Sequence, residues 1–226
     1  SSLFLFACAT TEGSDAPEIP DDTEESDPAV QIDATIRILD AMSGSGVSDV
    51  NAESAHGDTA TTDDSGSAVI PVHADSTFEI LLQKNGSIDH LLFGPTGTAD
   101  FDYITFMATE ALVGMVTGLL GTTPDSGTGL MVVGIDYDNL SPAVGASAAL
   151  NADHDEPWVL KTTGPAFGDT IPSGAMGMVA FPGLQPGMVE VTVEPPSGAD
   201  CTAYPGGGTM PEVPVLSEKV TVVTFH

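Results

Sequence analysis

The chain has 226 residues, of which 41% are hydrophobic and 6% aromatic, and it contains 25 glycines and 17 prolines. This apolar content is enough for one large or two small hydrophobic cores, and the many turn-forming residues favour short strands over long helices. The net charge is −29 at pH 7, from 33 acidic residues and four Lys and Arg. Such a surface repels phosphate backbones, which excludes nucleic acid as a partner. It permits divalent cations or basic partners, and it is also typical of adaptation to high salt, where self-repulsion is screened.

The first eight residues are an apolar segment that ends at a cysteine. Leu5-Phe6-Ala7-Cys8 closes this segment, and the sequence becomes polar and acidic directly afterwards. A secretory signal peptide ends with an apolar segment and a small residue, and the sequence that follows its cleavage site is polar. Residues 5–8 resemble a bacterial lipobox, where the signal peptide is cut and the cysteine is lipidated, so residues 1–8 are predicted to end a signal peptide that began earlier. The resemblance implies an exported protein anchored to a membrane through Cys8. The alternative is a cysteine that follows a short apolar strand by chance.

Residues 9–28 are predicted to be a disordered acidic linker. Eight carboxylates lie within residues 12–27 without a Lys or Arg, and Pro17, Pro20 and Pro28 punctuate the segment. A segment with little apolar surface and uniform charge repels itself and stays extended. It would act as a spacer from the membrane, or simply as a solvated tail.

Three kinds of segment recur in the same order in the two halves of the remaining chain. The first is a strand ending in Asp, a polar turn and a second strand; the second is a turn leading into an apolar strand; the third is an alternating strand before a Gly-containing turn. They occupy residues 36–53, 62–70 and 78–86 in the first half, and residues 132–150, 173–181 and 189–198 in the second. The pattern predicts a duplicated β-sandwich, with one copy at residues 29–100 and the other at residues 124–226, the second cut short at its end.

The first copy carries a set of turn motifs that match a known family. These motifs are Leu39-Asp40, Gly46-Val47, Thr62-Asp63-Asp64-Ser65-Gly66 and Phe78-Glu79-Ile80. In this order they resemble the carboxypeptidase regulatory-like domain, and the resemblance covers roughly two thirds of the chain through turn signatures of low specificity. The second copy departs from it, because it lacks the Thr-Asp-x-x-Gly turn and has longer loops between residues 151 and 175. The resemblance implies an all-β fold of two Ig-like or transthyretin-like (prealbumin-like) sandwiches and an accessory, non-catalytic role on an exported protein.

Residues 101–123 are predicted to be a connecting helix. Ile104, Met107, Ala111 and Leu112 fall at helical spacing, and Gly121 favours a stop. A transmembrane span is rejected because Glu110 lies in the middle, Thr and Gly residues lower the hydropathy of the segment, and no basic residue flanks it. The helix would either cover a sheet face between the sandwiches or lie over an apolar pocket for a lipid or another hydrophobic ligand.

Two acidic clusters are weak candidates for a cation site, and no metal or cofactor is predicted. Asp136 and Asp138 alternate along the chain, and Asp153, Asp155 and Glu156 precede Trp158. Calcium needs six to eight oxygen ligands, and neither cluster has the spacing of an EF-hand loop. The scattered histidines lack the spacing of a zinc site, and solvated loop or strand-face positions are expected for all of them, namely His56, His73, His90, His154 and His226. Trp158 is expected in a core, or as a surface on which a sugar stacks.

No catalytic residue is predicted. Ser43-Gly44-Ser45-Gly46 lies in a turn between strands and not in a strand-to-helix elbow, and the Gly-rich runs lack the Lys of a phosphate-binding loop. Cys201 and Met210 enclose a loop without His, which excludes a blue-copper site. If Cys8 is lipidated, Cys201 is left over, and it would stay free or pair with a cysteine beyond His226.

The sequence therefore predicts a non-catalytic, membrane-anchored lipoprotein of the bacterial envelope or cell surface that acts as a structural or binding module. The membrane would be contacted through Cys8, and a protein or a glycan would be the partner at the cell surface. The alternative is a ligand-binding lipoprotein that holds calcium, a glycan or an apolar molecule between its domains. A hydrolase would need two acids, or a nucleophile and a base, to converge in one cleft.

Overall fold

The computed structural model describes residues 30–122, 125–137 and 140–226. Within these ranges the chain forms sixteen strands and one helix. The predicted all-β class, with β-layers packed around two cores and a short helix between the halves, is confirmed. The predicted lipobox, the predicted acidic linker and Asp138 lie outside the described residues.

The first half folds into two facing β-layers. One layer has the order β4-β1-β7, in which β1 pairs antiparallel with β4 and parallel with β7; the other contains β3, β2, β5 and β6, all antiparallel. Alternating side chains from both layers, such as Ile36, Ile70 and Ile80, are fully buried in the first core. The strands are β1 (Gln31–Asp40), β2 (Asn51–Ser54), β3 (Thr59–Thr61), β4 (Ser67–His73), β5 (Thr77–Gln83), β6 (His90–Pro95) and β7 (Phe101–Met107).

The connecting helix is shorter than predicted. Residues 101–107 form strand β7, and helix α1 spans Glu110–Leu120. Thr109 caps the helix, because its side-chain oxygen accepts a hydrogen bond from the backbone N–H of Leu112 at 3.2 Å. Gly121 ends the helix in the left-handed conformation, with φ of 69°. The prediction of a helix from residue 101 is wrong because the first seven residues pair with β1.

The second half repeats the pairing pattern of the first. Strand β8 pairs antiparallel with β12 and parallel with β16, as β1 does with β4 and β7. The facing layer consists of the pairs β9–β14 and β13–β15, and a hairpin of β10 and β11 extends the first layer. The strands are β8 (Gly129–Ile135), β9 (Ser147–Leu150), β10 (Trp158–Lys161), β11 (Gly164–Phe167), β12 (Ala175–Leu184), β13 (Gly187–Val189), β14 (Val191–Glu194), β15 (Val213–Val215) and β16 (Val220–Phe225).

Strand β16 joins the two halves into one nine-stranded sheet. It pairs in parallel with β6 and with β8, which gives the order β11-β10-β12-β8-β16-β6-β5-β2-β3. Val220 and Val222 pack in the first core, whereas Val223 and Phe225 pack in the second. Successive side chains of a strand point to opposite faces, so the first core lies on one face of this sheet and the second core on the other.

The start of β16 is also fixed by an ion pair. Lys219 Nζ lies 2.6 Å from Asp89 Oδ2, just before β6, and Gln83 Nε2 donates to the same oxygen at 2.9 Å. Both charged side chains are about a quarter exposed, at 28% and 27%. One of the four basic residues of the chain therefore holds the strand that the two cores share.

Candidate ligand-binding site

Strands β8, β12 and β16 are apolar on both faces, and only one face is covered by a β-layer. Met131, Val133, Phe181 and Val223 fill the second core on that face. Among the described elements, β7 and α1 lie above the opposite face. An eleven-residue helix covers less area than a sheet, so a space remains between the sheet and the helix.

This space is an apolar cavity of about 470 Å³. Small-molecule sites commonly have such a volume, with mostly hydrophobic walls and a few polar groups. Many of its wall residues are half-buried, so the cavity communicates with solvent. The apolar walls come from β7, α1, β8, β10, β12 and β16 and include Ile104, Phe106, Leu112, Val113, Val116, Leu130, Val132, Trp158, Leu160, Met176, Met178, Ala180, Val220 and Val222.

His90 lies on the cavity wall where the first core begins. Its side chain is 2% exposed, so the prediction of a solvated position is wrong for this histidine. Nδ1 lies 2.8 Å from the carbonyl oxygen of Ile88. A carbonyl only accepts, so Nδ1 carries the hydrogen, and Nε2 of the neutral ring is an acceptor. Burial lowers the pKa of His90, which favours this neutral form.

Asp136 lies at the other end of the same sheet face, directly after β8. Its backbone N–H donates to the carbonyl of Phe225 at 3.0 Å, and its carboxylate makes no hydrogen bond or ion pair with the described part of the chain. Burial raises the pKa of this carboxyl to about 6. The carboxylate packs against Gly177, where a Cβ atom would lie 2.1 Å from Asp136 Oδ1 and where φ is +72°. Glycine at 177 therefore makes room for the carboxylate.

Aromatic side chains form the wall near the end of β16. The rings of Tyr204 and His226 stack with centroids 4.2 Å apart, and the Tyr204 hydroxyl donates to the backbone carbonyl of Asp102. The Tyr103 hydroxyl lies 2.9 Å from Thr224 Oγ1. Burial raises the pKa of both tyrosines, so they stay neutral and provide apolar surface with fixed hydroxyl groups.

The structure separates the acidic residues that were cation candidates. The carboxylate of Asp155 packs against Gly183, whereas that of Asp136 packs against Gly177, toward the other end of β12. Six residues of strand span about 20 Å, so these two side chains cannot share one ion. Asp153 and Glu156 are exposed beside Asp155. In the described ranges no group of three or more His, Cys, Asp or Glu side chains has an arrangement that could hold a metal ion.

Two other residues from the sequence analysis have clear positions. Trp158 is half-buried on β10 and lines the cavity. Cys201 is a free thiol that packs partly buried against the second core. Burial and the neighbouring Asp200 raise the pKa of this thiol, so it has little thiolate character at neutral pH.

The sheet face that forms the cavity floor was not predicted from the sequence. Leu130, Val132, Met178 and Val222 appeared as ordinary strand residues. The available signal was the continuous apolar character of residues 129–135, 175–181 and 220–225, because a strand of a half-solvated sheet should alternate with polar residues. Such a pattern indicates that both faces of the strand are shielded from solvent. It does not show whether a packed layer or a cavity lies over each face.

A comparison with protein-family models found no match, and a comparison with curated proteins found none. Among solved structures, the minor pilin GBS52 of Streptococcus agalactiae matches with 16% identity over 85% of this chain and 93% of its own, at a TM-score of 0.28. The Bacillus anthracis TIE protein matches with 13% identity over 85% of this chain and 33% of its own, at 0.28. The shaft pilin SpaA of Lactobacillus rhamnosus GG matches with 8% identity over 88% and 97%, at 0.26. At such TM-scores the fold assignment rests on the strand pairing itself.

In the described part of the chain, no helix has the length and hydropathy needed to cross a membrane.

Proposed function

We propose that this chain is a non-catalytic binding module of a bacterial cell-surface or envelope lipoprotein, and that it holds an apolar small molecule in the cavity beneath α1. The observation that carries the proposal is the apolar cavity of about 470 Å³ between the helix and the nine-stranded sheet. Calcium has less support, because the carboxylates of Asp136 and Asp155 contact Gly177 and Gly183, which lie toward opposite ends of β12. A glycan has less support, because Trp158 lines an apolar space.

Hydrophobic side chains that line the cavity are left partly uncovered, and this favours an apolar ligand. Burial of apolar surface contributes roughly 25 cal/mol per Å², and the half-buried side chains of Val132, Met178 and Leu112 gain this only if something fills the space. An apolar ligand would complete their burial. Polar groups at the two ends, His90 and Asp136, would fix its orientation.

The envelope location rests on the sequence alone. The lipobox resemblance supports lipidation of Cys8, and the carboxypeptidase regulatory-like resemblance supports an accessory role without chemistry of its own. A module tethered at a membrane surface would meet apolar molecules where they are most concentrated. The proposed task is therefore to hold such molecules near the membrane.

The test fills the cavity with a larger side chain. Val132→Phe places a phenyl ring on the cavity floor, whereas Val69→Phe makes the same change on β4, where Val69 is 53% exposed and outside the cavity. We expect the neutral apolar dye N-phenyl-1-naphthylamine to bind the wild-type chain saturably, measured by its fluorescence. We expect Val132→Phe to weaken binding by about tenfold or more, because the phenyl ring takes up space in which the dye would bury apolar surface. We expect Val69→Phe to leave the affinity unchanged.

Thermal unfolding and circular dichroism would establish that both variants fold. Absence of saturable dye binding to the wild-type chain would overturn the proposal. So would a folded Val132→Phe variant that binds the dye as tightly as the wild type.

A further inference from the structure

We infer that the cavity selects an elongated amphiphile that carries a positively charged amine at one end, and that the carboxylate of Asp136 receives this amine. The inference rests on the proposed function, because it names the chemical class of the ligand for the same cavity. It depends on the shape of the apolar floor, on the position of Asp136 and on the sign of the charge around it.

The floor of the cavity is a continuous apolar track. Leu130 and Val132 on β8 lie beside Val220 and Val222 on the parallel strand β16, and the track continues past Gly134 and Thr224 to Asp136. From Leu130 to Asp136 the strand advances about 20 Å. A long, narrow apolar molecule lying along these strands would have one end at His90 and the other at Asp136.

The described chain supplies no hydrogen-bond donor to the carboxylate of Asp136. This half-buried carboxylate keeps some contact with water, but no protein donor replaces the water that it has lost. An ammonium group donates hydrogen bonds and supplies the opposite charge, and such charge-assisted hydrogen bonds are stronger than neutral ones. Burial raises the pKa of this carboxyl to about 6, and no neighbouring donor or positive charge lowers it again.

The charges around the cavity favour a cation over an anion. The described residues that line it include no Lys or Arg, and its titratable members are His90, Asp102, Tyr103, Asp136, Tyr204 and His226. The two tyrosines stay neutral at pH 8, and burial keeps His90 neutral. With a net charge of −29 on the chain, a fatty-acid anion would be repelled both at a distance and at Asp136.

The experiment compares three twelve-carbon probes that differ only in the head group. Dodecylamine, dodecanol and dodecanoate would each displace N-phenyl-1-naphthylamine from the 226-residue chain at pH 8 and 150 mM salt, which screens the net charge. The variants are Asp136→Asn and, as the matched control, Asp64→Asn, which removes the same charge from an exposed turn outside the cavity.

We expect the wild-type chain to bind dodecylamine about tenfold or more tightly than dodecanol, and dodecanoate most weakly, because hydrogen bonds to charged groups are worth this much. Asp136→Asn should abolish the preference for the amine without weakening dodecanol, and Asp64→Asn should retain it. Equal affinities for the amine and the alcohol in the wild type would overturn the inference but not the proposed binding of apolar molecules. A preference for the amine that survives in Asp136→Asn would have the same consequence. Failure of all three probes and of the dye would overturn the proposed function together with the inference.

Discussion

Asp136 has an electrostatic role in the free protein as well as in the proposed complex. Burial raises the pKa of its carboxyl from 3.8 to about 6. Between these two values the folded chain holds a proton at this site that the unfolded chain has lost. The contribution of Asp136 to the free energy of unfolding is therefore fully present below about pH 4 and is lost as the pH rises through 6.

A neutral side chain at this position should remove that pH dependence. We expect Asp136→Asn to match the wild-type chain in stability near pH 4 and to become the more stable of the two as the pH rises to 8. The measurement is urea unfolding at a series of pH values, read as the difference between the two chains so that other carboxylates cancel. Asp64→Asn controls for the loss of one negative charge. Equal or lower stability of Asp136→Asn at pH 8 would contradict the burial argument.

At the scale of elements, α1 is an unusual cover for a sheet. Its sequence is almost entirely apolar, yet Val116 is its one buried residue, and Met115 and Leu119 are 46% and 67% exposed. An apolar stripe on a surface helix normally packs against the core. Few packing contacts hold this helix, so its stability depends strongly on its capping groups.

Two threonines of α1 should respond differently to replacement by alanine, because only Thr109 caps the helix. Thr109→Ala removes the side-chain oxygen that accepts from Leu112 N–H and should lower the free energy of unfolding by about 1 kcal/mol. Thr117→Ala removes a hydroxyl that bonds back to Val113 O at 2.9 Å inside the helix, and it should be neutral or slightly stabilising because Ala is the better helix former. Chemical denaturation measures both, and equal losses in the two variants would contradict a capping role for Thr109.

The segment at residues 101–107 shows what local sequence could not decide. Phe101, Tyr103, Thr105 and Met107 alternate with Asp102, Ile104 and Phe106, so the same apolar run fits a strand of period two and a helix of period 3.6. Parallel pairing with β1 selects the strand, and that pairing joins residues about 70 positions apart, beyond the reach of local propensity. The turns and the repeated order of strands were predictable because Gly and Asp act locally.

The candidate site was less predictable for a related reason. The only signal in the sequence is that residues 129–135 and 220–225 are almost continuously apolar, which is a property of each strand by itself. Whether another layer fills the space above Val132 depends on where α1 and β7 are placed by pairings elsewhere. From its sequence, Asp136 was only a weak candidate ligand for a cation, and the structure places its carboxylate at the end of an apolar cavity.

At the scale of the whole molecule, β16 makes the two halves interdependent. Val222 packs in the first core and Val223 in the second, and the strand completes sheet pairing on both sides through β6 and β8. Loss of this strand would remove side chains from both cores and would expose two strand edges. Neither half therefore has a complete set of contacts without the C-terminal strand.

We expect the molecule to unfold in one cooperative transition. Trp158 fluorescence reports on the second half, and hydrogen exchange of amides in β1 reports on the first, where Ile36 is fully buried. Coincident urea midpoints for the two probes are the expected result, because the shared strand couples the cores. Exchange of the β1 amides at a clearly lower urea concentration than the fluorescence change would show independent halves.

The placement of the two cores on opposite faces of one sheet also links binding to packing. The strands under the cavity are the strands over the second core, so Val132 and Val133 place neighbouring side chains on the floor of one and in the interior of the other. An occupant that holds this floor in position would reduce the freedom of the second core, and a looser second core would weaken the occupant by the same free energy. If the proposed ligand binds, filling the cavity would therefore stabilise the second core through the strands that the two share.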